Sequence, residues 1–484
     1  VQDLLESYKK VWAINYAQAL LHWDQETYMP VADAEFRGMA SSYLTLISKE
    51  LFLSLKPLVE KYAKREDLDD VQRGIIRVLQ RKLRYFENVP EEVIKQLSAL
   101  LPVAQVEWRK AKAKNDFEAF RPYLERIVEL ERRVAEAWGY EREPYDALLD
   151  LHEEGLTARE AEEIFSRLLP ALSEILKREG FPRENELEKV EYRREDMEGV
   201  NRNVIRLIGF PEDRFRLDVS AHPFTVGLSP NDVRITTRYE GRDFKATLFS
   251  VIHEGGHALY DLNVDPNLAT TPVGKGASLG IHEGQSRFWE NVIGRSREFV
   301  EVILPILKRH LDFMVNRTVE DVYYYFNTVK PSLIRVDADE LTYNFHIAVR
   351  FHIERELISG NLSVREAPSR WEELYERYLG VRPKTYSEGI LQDIHWSMGD
   401  FGYFPTYTLG NVVAAMGWKA LPDLKERVAS TDFESIKTFF RERVWRWGAV
   451  YTPKELLRRA YGRAYDVDAL IEYLRRKFLA QRSL

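Results

Sequence analysis

Residues 232–262 read DVRITTRYEGRDFKATLFSVIHEGGHALYDL. The first residues alternate Val233, Ile235, Thr237 and Tyr239 with Asp232, Arg234, Thr236 and Arg238. Period two with β-branched residues predicts a short strand over 232–240. Gly241 then permits a turn, and Asp243 is the expected N-cap of a helix carrying Phe244, Leu248, Val251 and Ile252. Most of the remaining chain reads as helix. Segments 70–86 and 117–140 set apolar residues three and four apart with charges between them. The expected fold is mainly α, with a short β element beside the helix that contains His253-Glu254-Gly255-Gly256-His257. The most polar stretch, 177–199, is expected as a surface loop or a crossover between two lobes. No fixed-period repeat or low-complexity tract divides the chain.

His253 and His257 are four apart, so a helix sets both imidazoles on one face, in reach of one metal ion. Glu254 points about 100° away and is expected to act on a water held by that ion. Zinc with three protein ligands lowers the pKa of its water to about 7, and a nearby carboxylate then takes the proton as general base. H-E-x-x-H arises by chance in roughly 2% of sequences with ten histidines in 484 residues. The alternative is two exposed histidines on a helix. The glycine pair argues against it, because each glycine costs a helix interior about 1 kcal/mol relative to alanine. Such a pair points to close approach of another backbone, a ligand or a substrate.

Composition narrows the chemistry. The chain has no cysteine, so a metal must be held by histidine and carboxylate, a set that suits zinc and its neighbours. A net charge of -7 argues against nucleic acid as the main partner. No run approaches the roughly 18 apolar residues of a membrane span. The first residues, VQDLLESYKK, do not read as a secretory signal; the expected location is the cytoplasm. Charged residues reach 30% and glutamine only ten, a composition that leans towards a hyperthermophile.

His-Glu-Gly returns at 282–284. Tyr260 and Asn263 stand where the longer metzincin motif needs glycine and histidine, so that class fails. In gluzincins the third ligand is a glutamate on a following helix. Glu283, 26 residues after His257, precedes an amphipathic run at 286–303 and fits that place. The two copies would then divide the work, with Glu254 as base and Glu283 as ligand. His282 is expected either to support the ligands or to touch substrate. The intervening 265–280, rich in Gly, Pro and Thr, suits the rim of a site.

Further motifs extend the pattern: His222-Pro223-Phe224, Asp232-Val233-Arg234-Ile235-Thr236, His282-Glu283-Gly284-Gln285, Ile334-Arg335-Val336-Asp337-Ala338-Asp339, and Gly389 through Gln392-Asp393-Ile394-His395-Trp396. With WDQETYMP (23–30) and FGYFPTYTLGN (401–411), the chain resembles the carboxypeptidase Taq family of metallocarboxypeptidases, in an archaeal version, over nearly its whole length. The resemblance implies one domain over 1–484, with helical halves flanking a deep groove, akin to neurolysin and angiotensin-converting enzyme. It implies release of C-terminal residues with broad specificity, one divalent ion (zinc or cobalt), peptide substrates with a free C-terminus, and a homodimer. His253, His257 and Glu283 would bind the metal and Glu254 would be the base. His395 and Tyr407, preferred over Tyr403, would stabilise the oxyanion. Arg335, with Arg350 as second choice, would grip the terminal carboxylate. His222, Asp232, Arg234, Thr236, His282 and Gln285 complete the expected substrate contacts, the strand at 232–239 by pairing with substrate backbone. Two other readings compete: an oligopeptidase or dipeptidyl carboxypeptidase on the same fold, and a binding protein with a decayed site. The second predicts loss of Glu254 or Glu283, and both are present.

Overall fold

The computed structural model describes residues 1–480. It is mainly helical, as expected, with one three-stranded sheet. Helix Asp70–Asn88 shows how the pattern becomes structure. The Asp69 carboxylate accepts the Gln72 N–H at 2.8 Å and the Gln72 side chain accepts the Asp69 N–H at 3.1 Å, closing a capping box. The apolar stripe Ile75, Ile76, Leu79 and Leu83 is buried. Helix Phe117–Trp138 is capped by Asp116 and stops at Gly139, where φ is 94°. The polar stretch 177–199 is only partly loop. Helix Ala158–Arg178 ends inside it, a 3-10 turn follows at Glu186–Lys189, and Arg194–Ile208 is already the next helix.

The sheet is β1 (Phe215–Val219), β2 (Thr225–Ser229) and β3 (Asp232–Thr237), in the order β1-β3-β2. β1 runs parallel to β3 and β2 antiparallel to it. The strand read from the sequence is therefore central, with both edges taken. Its core residues Val233 and Ile235 have no exposed surface, and burying each stabilises the fold by about 2 kcal/mol. Thr236 and Thr237 are equally buried: Thr237 shares the Val233 face and bonds to Thr247 of the following helix, while Thr236 on the opposite face pairs with Ser220 and accepts the Phe224 N–H.

That helix spans Lys245–Leu262. Its start departs from the expected cap. Asp243 lies one residue before the N-cap position, at φ 57°, and its side chain caps no N–H of the helix. Instead the Tyr325 hydroxyl accepts the Lys245 N–H at 3.1 Å and donates to the Asp243 carboxylate. Helix Leu279–Arg287 follows, continued by a π-helical turn over Phe288–Ile293. It runs antiparallel to the first helix: His253 meets Glu290, His257 meets Glu283, and Tyr260 meets His282. The contact is close because of glycine. A Cβ on Gly256 would lie 2.6 Å from the Gln285 carbonyl oxygen and the Ser286 Cα. A third helix, Pro405–Ala420, packs on the second through Gly284, facing Val413, and Gly410, facing the Glu283 side chain.

Candidate metal centre and substrate cavity

His253 Nε2 and His257 Nε2 lie 3.7 and 3.2 Å from Glu283 Oε2, and the ligand atoms of the three residues lie within 4.8 Å of one another. Each is held from behind. Glu290 Oε2 lies 2.7 Å from His253 Nδ1. His257 Nδ1 lies 2.6 Å from His282 Nδ1, and His282 Nε2 lies 2.9 Å from Asp261 Oδ1. If His257 Nε2 is to present a lone pair, its Nδ1–H must donate to His282, whose Nε2–H then donates to Asp261. Arg287 Nε donates to Glu283 Oε1 at 2.8 Å and the Ser286 hydroxyl donates to Oε2 at 2.9 Å.

The donor set suits a divalent cation. Burial pushes the His253 imidazolium down, yet Glu283 and Glu290 outweigh it and raise the group to about 9. Glu283 is held well below the usual carboxylate range: burial opposes this, but His253 and Arg287 prevail. The field between the three side chains thus favours positive charge. Two imidazole nitrogens and a carboxylate oxygen are the donors zinc takes.

The triad and Glu254 open on one cavity of about 1040 Å³. Glu254 is half-buried, and the Thr225 hydroxyl donates to its Oε2 at 2.5 Å. Pro223, Phe224, Thr225 and Gly227, around β2, line the same cavity, as do Lys275 through Leu279 of the loop expected at the rim. Tyr403 and Tyr407 line another part. His395 Nε2 lies 3.0 Å from the Tyr407 hydroxyl. Burial lowers His395 to about 3, so its ring is neutral. Burial, then Tyr403 and Tyr343, push the Tyr407 hydroxyl well above 10, so it remains a donor.

Set against known proteins, residues 3–478 match the family model described as carboxypeptidase Taq (M32) metallopeptidase. The chain belongs to that family. It is 49% identical to thermostable carboxypeptidase 1 of Pyrococcus furiosus, over 99% of this chain and 98% of that protein. It is 34% identical to thermostable carboxypeptidase 1 of Thermus thermophilus, over 99% and 98%. Among solved structures, the apo-Mg form of the Pyrococcus furiosus carboxypeptidase superposes with a TM-score of 0.96 at 49% identity, over 99% and 98% of the two chains. Trypanosoma cruzi metallocarboxypeptidase 1 does so at 0.93 and 34%, with 99% of each covered. As an M32 member the chain is a metallocarboxypeptidase, a peptide hydrolase that works with a divalent metal ion.

Several expected substrate contacts of this carboxypeptidase sit elsewhere. Arg350 is fully buried: Nε donates to Asp393 Oδ2 at 2.7 Å and Nη2 to Gln392 Oε1 at 2.8 Å. Gln285, 2% exposed, accepts from the Trp445 indole and donates to the Ile281 carbonyl. Thr236 has no exposed surface; its hydroxyl pairs with Ser220 and accepts the Phe224 N–H. These three cannot touch a substrate, because their polar atoms are spent inside the protein. Asp232 and Arg234 pair with each other at 2.8 Å, with Arg234 laid over Trp23. β3 cannot pair with a peptide, since β1 and β2 occupy both its edges; β2 is the edge strand beside the cavity. His222 is exposed but does not line the cavity, and its carbonyl accepts from Ser220. His282 lines it with both ring nitrogens engaged. Arg335 lies behind Tyr407, its guanidinium 5.1 Å from that ring, and donates to Asp393 and the Tyr343 hydroxyl.

Sequence reasoning missed Glu290, Asp261, Arg287 and Thr225. Asp261 and Arg287 carried a signal, each standing four residues after an expected ligand and so on its face of the helix.

Proposed function

We propose that this metallocarboxypeptidase releases C-terminal residues of varied side chain from peptides, with zinc or cobalt at His253, His257 and Glu283 and with Glu254 as general base. The observation that carries the reading is the position of Glu254. It follows His253 directly, faces the triad's cavity, and is fixed at one oxygen by Thr225. The bound ion would supply Lewis acidity, polarising the scissile carbonyl and acidifying a water. Glu254 would take a proton from the water that adds to the scissile carbonyl carbon and pass it to the amine as the C–N bond breaks. The Tyr407 hydroxyl donates to the developing oxyanion, steadied by neutral His395. β2 offers its free edge to the peptide backbone.

An exopeptidase must also favour a terminal carboxylate about one residue from the scissile bond. Arg335 remains the candidate, acting from behind Tyr407. Arg335 and Arg350 share the single carboxylate of Asp393, which leaves that cluster one positive charge in excess. A homodimer is the proposed assembly. The exposed stripe Phe36, Met39, Tyr43 and Ile47 on helix Ala34–Leu53 supports it. The cytoplasm is the proposed location. No helix among the described residues is long and apolar enough to cross a membrane.

The test is a time course of amino acids freed from one peptide, with free or amidated C-terminus, with and without chelator. Ordered release from the free end, abolished by chelator and by amidation, is expected. Efficient internal cleavage of the amidated peptide would favour the oligopeptidase.

A further inference from the structure

The cavity has a second positive region, away from the Arg335–Asp393–Arg350 cluster. Arg77, Arg81, Lys82 and Lys275 all line it. The two arginines are committed to the protein. Arg77 donates to the Val450 and Ala449 carbonyls at 2.8 Å and faces Glu154 at 3.3 Å. Arg81 donates to Asp150 through its carboxylate at 3.1 Å and its carbonyl at 2.8 Å. The two lysines are not committed. Among the described residues neither Lys82 nor Lys275 has a hydrogen bond or an ion pair through its ammonium. Lys82 Nζ rests 4.5 Å from the centre of the Phe52 ring. Lys275 is exposed and lines both this cavity and a smaller neighbouring one beside Trp12 and Gly274. The protein packed around it, then Lys82, Arg77 and Arg81, lowers its ammonium from the usual lysine range against the pull of Glu154. Four cations thus meet only Glu154 and Asp150 on this wall.

Lys275 also sits close to the metal ligands. A Cβ on the next residue, Gly276, would lie 2.6 Å from the His282 ring, which itself bonds to His257. A ligand in contact with Lys275 is therefore within a few residues of the scissile bond. In the carboxypeptidase reading above only one substrate residue follows that bond, and its terminal carboxylate would lie on the Tyr407 side, near the Arg335 cluster. The rest of a bound peptide precedes the bond and must fill the remaining cavity, whose wall here includes Phe52, Tyr85 and Trp138.

We propose that Lys82 and Lys275 form a subsite for an acidic side chain, Asp or Glu, located N-terminal to the scissile bond of the peptide. They determine specificity and take no part in the bond-breaking step. The inference rests on the carboxypeptidase reading above.

The experiment uses the metal-loaded enzyme and N-acetylated hexapeptides with a free C-terminus. One of the three positions before the C-terminal residue is Glu, Gln or Lys, the others alanine. Initial rates give kcat/KM, and calorimetry with the same peptides, each protein carrying Glu254→Gln in addition so that metal stays bound but hydrolysis is suppressed, gives affinity independently of turnover. At one position the wild type should prefer Glu over Lys by about tenfold or more. Lys275→Met and Lys82→Met should each reduce that preference, and the double variant should remove it. Turnover of the Gln peptide should stay within about twofold. If the wild type shows no charge preference at any position, in rate or affinity, the subsite does not exist. If the variants lower all three peptides equally, the lysines read the terminal carboxylate or only shape the cavity, and the proposal falls. Failure to release the C-terminal residue from the Gln peptide would instead refute the carboxypeptidase reading, while the affinities would still decide on the subsite.

Discussion

Gly256→Ala should damage the metal site far more than its size suggests. The added Cβ would stand 2.6 Å from the Ser286 Cα and the Gln285 carbonyl oxygen. Carbon atoms rest at about 3.5 Å, so one helix must move by about 1 Å relative to the other. Both obstacles are backbone and cannot rotate aside. His253 and His257 ride on one helix and Glu283 on the other, and a metal site tolerates about 0.2 Å in its ligand distances. Metal affinity should therefore fall at least 100-fold, at the upper limit of what loss of an outer supporting residue costs, about 10–100-fold. Stability should suffer modestly. Overpacking costs about 1–3 kcal/mol, and with an unfolding entropy of about 2.1 cal/mol/K per residue that lowers the Tm of this long chain by only about 1–3 °C. Gly255→Ala is the internal control. Its Cβ would meet Phe210 Cζ at 2.9 Å, the far end of a side chain that can tilt away. Metal titration in chelator-buffered zinc, with thermal unfolding of the metal-free proteins, measures both quantities. Normal zinc affinity in folded Gly256→Ala, or a larger loss in Gly255→Ala, would refute the argument that helix spacing sets the ligand geometry.

Glu254→Gln should retain full metal occupancy and lose about 10²–10⁴-fold in kcat; near-normal kcat with metal bound would exclude the base role. Glu283→Ala should lower metal affinity more than His282→Ala, because Glu283 faces both imidazoles while His282 acts only through His257; the reverse order in a zinc titration would make His282 the third ligand. Glu131 supplies a pH prediction. Burial, then Asp400 and Glu354, raise it to about 8 from an ordinary 4.5. The folded state therefore keeps a proton that the unfolded chain has released. The stability it contributes is complete below about pH 4.5, falls as pH rises, and is gone above about 8. Glu131→Gln has no charge to bury, so its Tm should exceed the wild-type value at pH 8–9, with the difference shrinking towards pH 5. A constant difference across that range would place the effect in packing.

The strand and the metal-bearing helix were legible because their periods, two and then three to four, are local properties. The meaning of the glycine pair was half legible: Gly256 signalled a close approach, and the partner proved to be the helix carrying Glu283. What failed depends on distant chain. The cap on Lys245 comes from Tyr325, eighty residues later, so a plausible Asp243 displaced the true answer. The strand at 232–239 looked free to pair with a peptide because neither β1 nor β2 gave a reading of its own. Arg335 and Arg350 stood as candidates for the terminal carboxylate, and the sequence could not name their ion-pair partner because Asp393, which both face, lies far along the chain. Glu290 stands seven residues after Glu283, on the same face at 3.6 residues per turn, so the period carried a signal for it; that it meets His253 rather than the ion follows only from how the two helices pack.

The excess positive charge shared by Arg335, Arg350 and Asp393 is sealed inside the protein, whereas the ammonium groups of Lys82 and Lys275 meet cavity water. Mobile ions can approach the second pair and not the first. At physiological ionic strength the Debye length is about 8 Å, and screening acts mainly on charges that solvent reaches. The enzyme's pull on a peptide's terminal carboxylate should therefore persist in concentrated salt, while discrimination among interior side chains fades. In a salt-rich solution such a chain would still choose the end of the peptide, and would become more permissive about what precedes it.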